Sequence, residues 1–218
     1  MKIDFVSDVA CPWCAIGLHS LERALERLPT GIPVELRFQP FELNPSMPPE
    51  GEDLAEHLGR KYGMAREQVQ QGAQALAQRG AAVGFTFGPR SRIWNTFDAH
   101  RLLHWAGVSA GVQAQRALKH ALLSAYHGRG ENPGSREVLR RCAAEAGLDP
   151  DAAAAVIDDP GRHAEDVRAQ EAHFQRLGIH AVPSVIIDDR HLIQGGQPPE
   201  VFERALRSIA AESGGTAS

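Results

Sequence analysis

Three cysteines in 218 residues are too few, and odd in number, for a secreted scaffold held together by disulfides. The chain also lacks any run of about 18 apolar residues, so no membrane-spanning helix is expected. Its 27 acidic and 23 basic side chains are interspersed, leaving no stretch of one sign to track phosphates or an anionic membrane. Nucleic acid and membrane are therefore not expected partners. Asp4 and Asp8 stand where a signal peptide needs an unbroken apolar segment, which makes the cytoplasm the expected location. The pair Gly195-Gly196 lacks the spacing of a nucleotide cradle, and no cofactor is expected.

What is present fits an ordinary globular chain, with 43% hydrophobic and 23% charged residues. Its length suits one core, or one core carrying an insertion. Lys2 to Ser7 reads as a strand. Pro12 to Leu28 reads as a helix with Leu18, Leu21, Leu25 and Leu28 on one face, stopped by Pro29 and Gly31. Val34, Leu36 and Phe38 then alternate with Glu35 and Arg37, as in a strand, completing a βαβ unit. From residue 44 to 178 the patterns are helical. Leu118, Leu122 and Tyr126 share one helix face, Ser135 is a candidate cap, and Asp149-Pro150 offers a cap followed by proline at the first helical position. Phe85-Thr86-Phe87 reads as loop or a short extended segment. After Gly178, Ser184 to Ile187 and His191 to Ile193 read as two strands around a tight turn at Asp188-Asp189. An amphipathic helix through Val201, Phe202, Ala205, Leu206 and Ile209 follows, with Ser213 to Ser218 as a frayed tail. The expected organisation is an α/β domain made of residues 1–43 and 179–218, and an all-helical insertion domain over 44–178.

The chemistry concentrates at Cys11-Pro12-Trp13-Cys14. Cys11 follows a strand and opens a helix, where free backbone N–H groups and the positive end of the helix dipole favour a thiolate. In such a setting the first thiol of a Cys-x-x-Cys pair drops from about 8.5 to between about 3.5 and 7. Cys11 is the predicted attacker. Cys14, one turn later, is the predicted resolver, able to close a disulfide with Cys11. Pro12 starts the helix without losing a hydrogen bond. Trp13 either meets substrate or packs on the insertion. The competing reading, a zinc half-site, lacks its other half. Cys142 lies in a helix with Val138 and Ala146 and reads as core. His100 and His104 have an i, i+4 spacing, but Arg101 stands where a metalloprotease needs glutamate, so no metal site is expected.

Taken together, Ser7-Asp8, Cys11-Pro12-Trp13-Cys14, Ile16-Gly17 and Val182-Pro183 resemble the FrnE branch of the DsbA-like oxidoreductases. Phe41-Glu42-Leu43-Asn44-Pro45, Asn95 with Ala99-His100, and Gly195-Gly196-Gln197 are similar to blocks that branch carries in the same order. The resemblance implies a thioredoxin-like fold interrupted by a helical domain. It also implies a cis bond at Pro183 packed against the cysteines, with the Val182 backbone free to pair with an extended substrate. Asn95 and His100 are implied to face the groove over the site. Asp4 stands near the place where thioredoxin-like proteins often keep a buried acid that helps deprotonate the second cysteine. Asp8 either raises the Cys11 pKa by charge repulsion or belongs to the strand-to-helix turn.

The expected activity is exchange of a Cys11-Cys14 dithiol or disulfide with thiol- or disulfide-containing proteins, with glutathione as a candidate small thiol. The alternatives are a kappa-type glutathione-using isomerase, which typically has serine where this chain has Cys11, and a non-catalytic binding module or holdase. Direction of exchange, physiological substrate and oligomeric state are not readable from these residues.

Overall fold

A computed structural model describes residues 1–215. Its central sheet has four strands, β1 (Lys2–Ser7), β2 (Glu35–Pro40), β5 (Ser184–Ile187) and β6 (His191–Gln194), in the order β2-β1-β5-β6. β1 and β2 run parallel, joined by helix α1 (Pro12–Glu26), and β5 pairs antiparallel with both β1 and β6. α1 ends two residues before Leu28, with Arg27 as its C-cap. The β5-to-β6 turn is the tight one expected: Asp188 and Asp189 take left-handed φ of 50° and 55°, which aspartate tolerates better than most residues. α9 (Pro199–Gly215) closes the chain. The helix takes in residues 213 to 215 of the expected tail, and residues 216–218 lie outside the described residues.

Side-chain alternation along β1 divides the two faces of the sheet. Ile3 and Phe5 pack with Leu18 and Leu21 of α1 and with Phe202 and Leu206 of α9. Val6 faces the other way and packs with Phe174 and Ile179. Asp4 shares that second face. Its carboxylate is held by Lys2 at 3.0 Å and by the Gln39 amide. This corrects the expectation that Asp4 is an acid placed to help deprotonate Cys14, because neighbouring residues of a strand point to opposite faces and α1 packs on that of Ile3 and Phe5.

Between β2 and β5 lie the helices α2 (Leu54–Tyr62), α3 (Arg66–Val83), α4 (Phe97–Ala110), α5 (Val112–Leu123), α6 (Arg136–Glu145), α7 (Pro150–Asp158) and α8 (Ala164–Arg176). They also enclose a two-stranded ladder, β3 (Glu52–Asp53) with β4 (Arg92–Ile93), too short to leave a period-two signal. Asp149 caps α7 by accepting from Ala152 N at 2.7 Å, with Pro150 at the first helical position. Ser135 occupies the N-cap of α6, although its hydroxyl makes no capping bond. Tyr126 falls in a π-helical turn, Ser124–Gly128, that continues α5. Phe85 to Phe87 has no regular structure, and its two phenyl rings pack edge to face 4.8 Å apart.

The helical segment is packed onto the sheet as well as on itself. α3 lies against α1, and α4, α5 and α8 contact β2. Gln115 of α5 covers the open edge of β2, accepting from Phe38 N at 3.0 Å and donating to Phe38 O at 3.1 Å, in the way a neighbouring strand would. A continuous apolar core runs through α4, α5, α6 and α7, with Leu102, Leu118, Leu122, Leu139 and Cys142 fully buried, and Val9 and Ala10 join it from the loop before α1. Burial pushes the Cys142 thiol up to about 11, which keeps it protonated and inert at neutral pH. Among the described residues, no helix is long and apolar enough to cross a membrane.

Candidate active site

Residues 8 to 11 turn the chain from β1 into α1. Cys11 N donates to Asp8 O at 3.2 Å, and Ala10 N donates to Asp8 Oδ1 at 3.0 Å. Cys11 is the N-cap of α1, with extended backbone and Pro12 at the first position, so its sulfur lies among the free N–H groups of the first turn. The side-chain hydrogen bond from Cys14 lowers the Cys11 pKa below its ordinary value against the opposing effect of burial, with help from backbone N–H groups of Cys14 and Trp13. Cys14 moves the opposite way. Burial and the neighbouring Cys11 sulfur push its pKa well above the usual range, against a pull from the Lys119 charge. One thiol is thus prepared to ionise while its neighbour holds a proton.

Val182 O lies 3.6 Å from Cys11 Sγ, and the Val182–Pro183 bond is cis. Two glycines permit this convergence. A Cβ on Gly17 would come within 3.0 Å of Pro183 Cγ, and one on Gly196 would come within 3.0 Å of Trp13 O. Trp13 itself is 38% exposed, and the Arg79 guanidinium from α3 lies over its ring at 5.1 Å.

Asp8 is buried beneath the loop. Leu43 N donates to its Oδ2 at 2.7 Å, Thr96 Oγ1 donates to Oδ1 at 2.8 Å, and His100 Nε2 stands 3.4 Å from Oδ1. Burial alone would raise its pKa. The hydrogen bond and charge of His100, with the Ala10 and Leu43 N–H groups, overcome that and hold it below the ordinary value. Asp8 anchors the turn, and its charge opposes ionisation of Cys11.

His100 reaches the site through Asp8. Asn95 Oδ1 accepts from Phe97 N at 2.8 Å and its amide donates to Met47 O at 3.3 Å, so it organises the start of α4. Both polar atoms of its side chain are engaged with backbone. His104, one turn beyond His100, meets Asp166 and Gln170 of α8, whereas His100 meets Asp8.

Three residues near the cysteines carry no motif. His127 Nε2 donates to Val9 O at 2.8 Å, and Arg90 donates to His127 Nδ1 at 3.2 Å and Ala10 O at 3.4 Å. Those partners fix the tautomer, since Arg90 only donates and a carbonyl only accepts. Burial, then the Arg90 charge, pushes the His127 pKa well below the usual range and keeps it neutral. Lys119 of α5 is completely buried and interacts electrostatically with Cys14, Asp8 and Cys11. Burial lowers its pKa against the pull of those three groups. It lines a cavity of about 10 Å³ with His100, Leu103 and Pro40. Its sequence signal is positional: Gln115, Leu118, Lys119, Leu122 and Leu123 are all buried on one face of α5, so a lysine occupies a core position.

Residues 2–207 match the DSBA-like thioredoxin domain family. The structure is similar to that of a probable DsbA oxidoreductase from Streptomyces coelicolor, at 35% identity and TM-score 0.87, covering 97% of this chain and 91% of that one. A 2-hydroxychromene-2-carboxylate isomerase structure aligns over 100% of both chains at 15% identity and TM-score 0.72. The cytosolic disulfide reductase DsbM of Pseudomonas aeruginosa, solved with GSH, aligns over 97% of this chain and all of that one, at 20% identity and TM-score 0.66. The last two likenesses are of fold. With the βαβ and ββα halves in one sheet and a family match spanning nearly the whole sequence, the chain belongs to the DSBA-like thioredoxin domain family.

Proposed function

We propose that this protein is a thiol-disulfide oxidoreductase whose Cys11 thiolate attacks one sulfur of a substrate disulfide. The opposed displacement of the Cys11 and Cys14 pKa values at the start of α1 carries this reading. Attack forms a Cys11-substrate disulfide and releases one substrate thiolate, which takes a proton. Cys14 then loses its proton and attacks Cys11 Sγ, releasing the second substrate thiol and leaving a Cys11–Cys14 disulfide. Two electrons and two protons pass to the substrate, and the reverse sequence oxidises it. Val182 O beside Cys11 is placed to accept from an extended substrate backbone, with Pro12, Trp13 and Pro183 shaping the approach. In the cytoplasm a couple of high potential rests reduced and acts as a reductase or isomerase. Residues 1–43 and 179 onward form the catalytic domain in this reading, and 44–178 form the insertion that buries Asp8 and Cys14. The test is trapping: Cys14→Ser protein mixed with a disulfide-bonded protein should accumulate a mixed disulfide through Cys11. Absence of any covalent adduct would contradict the mechanism.

Lys119 would assist the second step, because its charge favours the Cys14 thiolate. Lys119→Met should slow resolution and move its pH dependence upward, prolonging the mixed disulfide. It should also stabilise the fold. A lysine whose folded pKa is depressed costs stability in full below that folded pKa, and the cost disappears as pH rises past the unfolded value of about 10.4. Removing it should therefore raise stability at neutral pH, with no gain in strong base. Stopped-flow resolution kinetics and urea unfolding across pH read the two effects separately.

A carboxylate-bearing small thiol such as glutathione is a second substrate reading, favoured by a groove of about 400 Å³ that runs beside α1. Arg23, Arg27 and Arg79 line it, and Arg79 reaches the Trp13 ring. Arg27 is already paired with Glu200 and Glu203, which leaves Arg79 and Arg23 as the anion-facing groups. Arg79→Ala should raise KM for glutathione disulfide by roughly 3- to 10-fold, as expected for a partly exposed charged hydrogen bond, while leaving kcat near its original value. An unchanged KM would remove the groove from the account.

A further inference from the structure

His104, His163 and Asp166 place two imidazole nitrogens and one carboxylate oxygen within 4.8 Å of one another, between α4 and the start of α8. Asp166 Oδ2 lies 3.2 Å from His163 Nδ1 and 3.6 Å from His104 Nε2. For zinc bound tetrahedrally at about 2.0–2.1 Å, neighbouring ligand atoms are about 3.4 Å apart, so these separations already match two edges of the tetrahedron. We propose that this cluster is a binding site for a divalent transition cation of the zinc class, held by His104 Nε2, His163 Nδ1 and Asp166 Oδ2, with solvent in the fourth position.

The surroundings give the cluster the build of a ligand site. His163, Asp166 and Gln170 recur at i, i+3 and i+7, so the N-terminus of α8 presents all three on one face toward α4. Gln170 Oε1 lies 3.4 Å from His104 Nδ1 and accepts from it, leaving the Nε2 lone pair free for a cation, the usual arrangement behind a metal-bound histidine. His163 has a left-handed backbone, φ 61°, uncommon for a residue other than glycine. Arg101, itself fully buried on α4, fixes the loop before it by donating to Val156 O, Asp159 O and Arg162 O at 2.8 to 2.9 Å. Glu165 adds a second acid in the first turn of α8, offsetting the positive end of the helix dipole. Asp166 is the exposed member, its side chain 59% accessible, so a cation enters from solvent. Two imidazoles with one carboxylate suit zinc, copper or nickel better than calcium or magnesium.

A bound cation would tie α4, which carries His100 against Asp8, to α8, which leads into Val182. The test uses protein with Cys11 and Cys14 oxidised to the disulfide, so that the thiols cannot bind metal. Zinc chloride titrated calorimetrically near neutral pH should bind at one equivalent and raise Tm with its concentration. His163→Asn, which keeps a residue tolerant of the left-handed backbone, and Asp166→Asn should each weaken that binding at least tenfold. Gln170→Ala should weaken it by about tenfold through the histidine it orients. No stoichiometric zinc uptake, or uptake unchanged in both His163→Asn and Asp166→Asn, would overturn the site and leave a helix-capping ion pair. Neither result bears on the Cys11-Cys14 chemistry.

Discussion

Replacing Cys11 by serine should lower turnover of a disulfide substrate by on the order of a thousandfold or more, the scale for loss of a covalent nucleophile. The reason is geometric as much as chemical. Cys11 is the thiol whose pKa is lowered, it caps α1, and Val182 O lies beside it, whereas Cys14 has no exposed surface and a raised pKa. Cys14→Ser should behave differently, completing the first attack and then stalling. Insulin reduction, followed by the rate of turbidity, measures the first variant, and non-reducing gels report the second. Turnover by Cys11→Ser equal to the original protein would remove Cys11 from its role. A double serine variant that keeps its biological activity would point to a binding module, and a glutathione-dependent isomerase that does not need Cys11 would show up in the same comparison.

Asp8→Ala should destabilise the protein by about 3–5 kcal/mol, because it strips partners from several buried donors at once. The N–H groups of Ala10 and Leu43 and the Thr96 hydroxyl all point at this carboxylate. The pH dependence follows from its lowered pKa. An acid depressed in the folded state stabilises fully above its unfolded value of about 3.9, and that contribution is lost as pH falls through the folded pKa. The original protein should therefore lose stability steeply below about pH 4, and Asp8→Ala should show a shallower acid limb from a lower plateau. Urea unfolding from neutral pH down to acid tests both parts. A variant as stable as the original would mean that the network contributes little.

Much of the fold was legible because its signals are local. Lys2 to Ser7 reads and folds as one strand, Asp149-Pro150 caps α7, and the two aspartates at 188 and 189 make the turn between β5 and β6. The cysteine pair was legible for the same reason, being a four-residue pattern at a strand-to-helix junction. Asp4 was misplaced because a strand's period says that neighbours alternate, without saying which face will receive α1. Lys119 and His127 were passed over because a charged or polar residue on a helix is usually solvated, and only packing of α5 against the sheet shows that these are buried beside the active-site loop. His104 and His163 are brought together by the packing of α4 on α8, and no spacing in the sequence reports that contact.

The most direct test of the central claim is a redox titration of the Cys11-Cys14 couple in glutathione buffers, followed by alkylation and mass, with zinc assayed on the same sample. The account predicts a reversible two-electron transition confined to those two cysteines, Cys142 remaining a thiol throughout, with a midpoint between about −270 and −120 mV. Failure of the pair to form a reversible disulfide, or stoichiometric zinc held by both thiols, would contradict it.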